Sequence, residues 1–107
     1  MSATYDDFKK LDIRVANILK AEKILGKTKI IKGTIDLGKE TRSVIIGGAE
    51  FYEPEDLVGK TVVVIANLET KKIAGIESNA MLLAADVDNK PFWLTVSSEV
   101  QAGTKIK

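Results

Sequence analysis

Residues 62–65 read Val-Val-Val-Ile, four β-branched apolar side chains in succession. A run with no polar face fits a strand buried on both sides, not one lying at a surface. A second apolar run, Met81-Leu82-Leu83-Ala84-Ala85, follows after a polar stretch. That stretch, residues 67–80, carries Asn67, Lys71, Lys72, Ser78 and Asn79. Amide, ammonium and hydroxyl groups in a loop held between two buried strands are the usual layout of a binding site.

The rest of the chain supplies short strands separated by turn signals. A short helix is expected over 4–11, with Thr4 as cap, Asp7 three residues on, and an apolar side of Tyr5, Phe8 and Leu11. Alternation over 12–18 predicts a half-buried first strand, running through 19–22 into a loop at 24–27 broken by Gly26. Residues 28–37 form a second strand in which Gly33 marks a bulge or a close approach. A turn at 38–40 leads to a third strand over 41–46, stopped by Gly47 and Gly48. Glu53 and Pro54 open a short helix to Leu57, ended by Gly59. Strands four and five are expected at 61–66 and 81–86, a sixth extended segment at 92–96 and an extended tail at 100–106. No long helical pattern alternates with the strands, which argues against a parallel βαβ sheet. Five strands with a helix between the third and fourth is the layout of an OB-fold, a small all-β Greek-key barrel with short helices that is used for oligonucleotides. One domain is expected over 1–107, with no linker or repeat.

The 107 residues include no cysteine and no histidine. Disulfides, thiolate nucleophiles and Cys- or His-ligated metal are therefore excluded, and the commonest general base is missing. No phosphate-cradling loop, nucleophile elbow or paired carboxylates appear. The run from Asp86 to Asn89 lacks the glycine and distal glutamate of a calcium loop and reads as a hairpin turn. No catalytic residue, metal or cofactor is called for. The N-terminal stretch has no signal-like apolar core and no run spans a bilayer, so a cytoplasmic location with no membrane partner is expected.

Net charge is only +1, so a nucleic-acid site has to come from local clustering. Lys20, Lys23, Lys27, Lys29 and Lys32 gather around the first loop, with Lys71 and Lys72 in the central loop and Arg14 and Arg42 on neighbouring strands. Taken alone, such a cluster is more often a solvated surface; in an OB-fold the first loop and the loop between strands four and five flank the usual binding face. Asn67, Ser78 and Asn79 are able to meet base edges, and an exposed Met81 to pack on a splayed base. The bland alternatives are a strand-end amide tying down its own loop and a methionine filling the core. The first three strands contain no aromatic residue, which argues for recognition of shape over general single-strand stacking.

Three separated motifs, FKKLDIRVANILKAEKI at 8–24, LVGKTVVVIANL at 57–68 and GIESNAMLLAAD at 75–86, resemble the tRNA-binding domain attached to methionyl-tRNA synthetase and its free-standing relatives. A bacterial secretion chaperone shares the fold. The resemblance implies a homodimeric barrel that binds tRNA by its folded shape, with a methionyl-tRNA synthetase catalytic chain as a further partner. The family's binding positions fall on Lys29, Arg42, Asn67, Ser78 and Met81. With Lys72 added from the central loop, the expected site has Lys29, Arg42 and Lys72 on phosphates and Asn67, Ser78 and Met81 on bases or sugars. Dimerisation is implied at the chain ends and the edges of the barrel, which suits the apolar N-terminal helix and the tail at 100–106. The family's Ser-x-Gly-Met is here Ser78-Asn79-Ala80-Met81, and a glycine needed for positive φ or close RNA approach would make Ala80 a weakness. The first-loop aspartate is replaced by Thr28. The rival expectations are a chaperone-like or export-related dimer that binds apolar peptides, and a pure synthetase-assembly module.

Overall fold

A computed structural model describes residues 1–107. In chain order the elements are α1 (Tyr5–Lys9), β1 (Ile13–Lys23), β2 (Ile30–Asp36), β3 (Thr41–Gly47), α2 (Pro54–Leu57), β4 (Thr61–Ile65), β5 (Lys71–Ile73), β6 (Ile76–Ser78), β7 (Met81–Leu82), β8 (Ala84–Val87) and β9 (Lys90–Trp93). The principal sheet is antiparallel with strand order β3-β2-β1-β4-β7, and it curls into a nearly closed barrel of the OB type.

β1 serves two partners. Residues 13–17 pair with β4 and residues 17–23 with β2, and the register slips between Ile18 and Lys20. The bulge bends one long strand around the barrel and leaves Leu19 exposed, so the strand continues to Lys23 where the sequence pattern places its end near Ile18. Gly33 proves to be a close approach: a Cβ there would lie 2.6 Å from Ile46 Cδ1.

β4 is buried on both faces, as its sequence requires. Val62 and Val64 point into the main core with Ile18, Ile31, Ile35, Val44 and Ile46. Val63 and Ile65 join Ile13 in a smaller cluster on the outside, covered by Leu11, Leu83, Val96 and Ile106. The C-terminal tail makes that second cover possible. Val15 N donates to Thr104 O at 2.9 Å and Ile106 N to Ile13 O at 2.8 Å, so the tail runs beside the first half of β1. At about 1.5–3 kcal/mol for each fully buried Val, Leu or Ile, this double layer anchors β4 on both faces.

Two expectations are corrected. The loop between strands four and five contains its own antiparallel ribbon, β5–β6. Strand five is split at Leu83: β7 pairs with β4, while β8 turns away to pair with β9 through Asp88 and Asn89, both at positive φ. No helix is long and apolar enough to cross a membrane.

Candidate nucleic-acid interface

The polar stretch predicted to carry the site folds as the β5–β6 ribbon, which closes at Ala74-Gly75 with φ of 55° and 77°. Positive φ at both turn positions is the two-residue hairpin geometry whose twist matches the flanking strands. Every residue of β5 is exposed, and in β6 Ile76 and Ser78 are half-buried, so the ribbon has no fully buried residue of its own. Its position depends on the polar groups at its base.

Arg42 supplies the main tie. Its Nη1 donates to Ala66 O, just before the ribbon, and to Asn79 O at 3.1 Å, just after it. Nη2 donates to Glu40 Oε1 at 2.9 Å. One guanidinium thus staples both feet of the excursion. Its planar fork of donors allows this where an ammonium would serve one carbonyl at a time.

The seam beside it closes the barrel. Asn79 N donates to Ser43 O at 3.0 Å and Ser43 Oγ to Glu77 O at 3.0 Å. Ser78 Oγ accepts from Ile45 N at 3.0 Å and donates to Ala80 O at 3.2 Å. The edge of β3 therefore meets the returning chain partly through side chains, which satisfies amides that an open edge would expose. Asn79 is also engaged, its Oδ1 accepting from Thr70 Oγ1 at 3.1 Å.

Asn67 holds a different segment. Its Oδ1 accepts from Asp12 N at 2.8 Å and its Nδ2 donates to Lys10 O at 2.7 Å, which fixes the α1–β1 junction against the first foot of the ribbon. An ion-pair chain follows the same edge. Lys105 and Arg14 both meet Asp12, at 3.7 and 2.6 Å, and Arg14 lies 3.9 Å from the Glu40 that pairs with Arg42. The Arg14 guanidinium hydrogen-bonded to Asp12 holds that carboxyl below the usual carboxylate range.

Of the first-loop lysines, Lys23 pairs with Glu53 at 3.1 Å and Lys32 with Glu22 at 3.9 Å. Lys29 is exposed with no acidic partner, on a loop pinned by Gly48 N and Ala49 N donating to Lys29 O. Between the ribbon and the barrel lies an open trough of about 500 Å³ walled by Ile45, Leu68, Ile73, Ala80 and Met81. Met81 is 45% exposed and forms part of the wall, while Ala80 is buried with negative φ. Alanine at that position is therefore unstrained.

The family model described as "Putative tRNA binding domain" matches residues 13–105. The chain belongs to this tRNA-binding-domain family. A methionine–tRNA ligase of Archaeoglobus fulgidus is 50% identical over 101 residues, covering 94% of the chain. The chain spans about 15% of the length of the curated relatives it matches. Among solved structures, a methionyl-tRNA-synthetase-related protein from Pyrococcus horikoshii is 35% identical with a TM-score of 0.94, over 100% of this chain and 99% of that one. The chaperone CsaA of Bacillus anthracis is 28% identical with a TM-score of 0.89, over the whole of both chains.

Within this tRNA-binding domain the expected site residues divide in two. Arg42 and Ser78, both half-buried, and the exposed Asn67 make hydrogen bonds to the ribbon's feet, the seam and the α1 junction. Lys29, Lys72 and Met81 face solvent. Ser43, Thr70 and Asn79 complete the seam. The position of Ser43 in register with Thr34, on the strand edge facing the ribbon, is legible only once the barrel is closed.

Proposed function

We propose that this chain is a non-catalytic tRNA-binding module that works with a methionyl-tRNA synthetase, as a separate subunit or a free-standing protein. In this reading it is a single cytoplasmic domain acting as a homodimer. The observation that carries it is the family match across nearly the whole barrel, on a surface where exposed cations flank a rigidly held ribbon. Lys29 and Lys72 neutralise phosphates, Met81 packs on an exposed nucleotide, and Arg42, Asn67 and Ser78 hold the frame that presents them. The gain for aminoacylation is one of effective concentration: a weak second site keeps tRNA near a catalytic centre.

The test is a filter-binding titration against bulk tRNA at low and moderate salt, with duplex DNA and an apolar peptide as competitors. Salt-sensitive binding that tRNA competes and DNA does not is the expected result. Lys29→Ala should weaken it and reduce the slope of log K against log salt by about 0.7–0.9, the contribution of one phosphate. A second reading has a specific observation behind it: the likeness to the chaperone CsaA, together with an apolar trough, favours peptide capture. Binding of the peptide without tRNA decides for that reading.

A further inference from the structure

The two faces of the β5–β6 ribbon differ. Register pairs Lys71 with Ser78, Lys72 with Glu77 and Ile73 with Ile76. Side chains of adjacent strand residues point to opposite faces, and cross-strand partners share a face. Lys71, Ile73 and Ser78 accordingly line the trough, whereas Lys72 and Glu77 lie on the far side. The cation over the apolar trough is Lys71, and no acidic group lies within ion-pair distance of it, although Glu69 also borders the space.

We infer that Lys71 and the trough walled by Ile45, Ile73 and Met81 form a site for one unpaired nucleotide, its base in the trough and its phosphate on the Lys71 ammonium. This deepens the tRNA-binding reading and rests on it. Three observations carry the site. Its volume of about 500 Å³ falls within the range of small-ligand clefts, roughly 300–1,000 Å³. Its walls are apolar, with a methionine whose flexible thioether adapts to any ring. Its single free cation lies beside, not inside, the apolar surface. A paired base is stacked and cannot enter such a space, so the site selects nucleotides that are out of a helix. Ser78 is already spent on Ile45 N and Ala80 O, and Asn79 on Thr70 and Ser43, which leaves the Glu69 carboxylate as the one uncommitted acceptor at the rim for a base edge. Lys72, on the other face, meets RNA outside the trough.

The experiment uses the full chain and a short RNA stem-loop with 2-aminopurine at an unpaired position, alongside bulk tRNA. Wild-type protein should change the 2-aminopurine emission, and a fully paired duplex of equal length should bind more weakly. Lys71→Ala should abolish the emission change at moderate salt and lower the salt slope by about 0.7, as expected for one single-strand phosphate. Lys39→Ala, at an exposed lysine of the β2–β3 turn, should leave the emission change intact, and Glu69→Gln should strengthen binding. All three positions are exposed, so circular dichroism should show unchanged folds. Wild-type binding of tRNA with the Lys71→Ala signal unmoved, or with the signal lost equally in Lys39→Ala, overturns this site alone. Displacement of the reporter by an apolar peptide to which Lys71→Ala binds as tightly as wild type assigns the trough to peptide instead. Failure of wild type to bind any tRNA overturns the functional reading and this site together.

Discussion

Arg42 stands in the strand row of Val44 and Ile46, which face the core, and its charge is resolved at the barrel mouth by two backbone carbonyls and Glu40. Hydrogen bonds to charged groups contribute about 1.5–3 kcal/mol each, and truncation leaves Ala66 O and Asn79 O without their donor. Arg42→Ala should therefore cost about 2–4 kcal/mol in the local opening of the ribbon. Hydrogen exchange at the amides of residues 71–78 should accelerate while those of β1 and β2 keep their protection. Arg42→Lys should recover only part of the effect. Unchanged ribbon protection in Arg42→Ala would mean that the guanidinium is free to serve RNA. Asp12 allows a pH test at the same edge. Its folded pKa is depressed, chiefly by the Arg14 hydrogen bonds, so its contribution is present above the unfolded carboxylate value of about 3.9 and is lost as pH falls through the folded one. Wild type should be more stable than Asp12→Asn from pH 7 down to about 4, and the two should converge in stronger acid. Urea melts across that range check this; a gap that stays constant with pH removes the ion pair as its cause.

At the scale of elements, the ribbon carries its own strain. Ala74 sits at φ 55°, where a Cβ crowds the following carbonyl at a cost of about 1–2 kcal/mol. Ala74→Gly should slow exchange of the ribbon amides roughly fivefold, an effect of about 1 kcal/mol, with no change in the barrel. Faster exchange in that variant would show that the lost chain entropy of glycine outweighs the relieved strain. The ribbon also marks where the sequence stops being legible. The five barrel strands and α2 follow from apolar runs and Gly or Pro punctuation, and Val62 to Ile65 announces burial on both faces directly. The bulge at Leu19 is hidden because β1 keeps a strand-like composition through both of its partners. β5 and β6 are three residues each with little apolar content, too short for alternation to show above a loop. The division of the site was hidden for a related reason. Arg42, Asn67 and Ser78 are the residue types that serve RNA or backbone equally well, and the backbone partners they meet lie 24, 55 and 33 positions away in sequence. A partial signal existed at Arg42: strand alternation places it on the core row, where a guanidinium has to find acceptors within the protein.

For the molecule as a whole, α1 poses the remaining physical question. Its capping box is complete, Thr4 Oγ1 accepting from Asp7 N at 3.1 Å and Asp7 Oδ2 from Thr4 N at 2.9 Å, yet it buries none of its residues. A helix of five residues is unstable by itself and takes its stability from packing an apolar face. Here Tyr5 is 73% exposed and Phe8 38%, stacked on each other with centroids 6.4 Å apart, and Asn67 fixes where the helix begins its descent into β1. The homodimer proposed above gives that face a partner, since a two-fold contact sets the same apolar patch of two chains against each other. Sedimentation equilibrium should then find a dimer at micromolar concentration, and the melting temperature should rise with protein concentration. Tyr5→Asp with Phe8→Asp should yield a monomer with the barrel intact by circular dichroism. Because Asn67 and the Asp12–Arg14–Glu40–Arg42 chain tie the α1 junction to the ribbon's feet, that monomer should also show faster exchange in β5 and β6. A wild-type chain that remains monomeric at about 100 μM would remove the dimer, and unchanged ribbon exchange in a monomeric variant would sever the coupling while leaving the dimer in place.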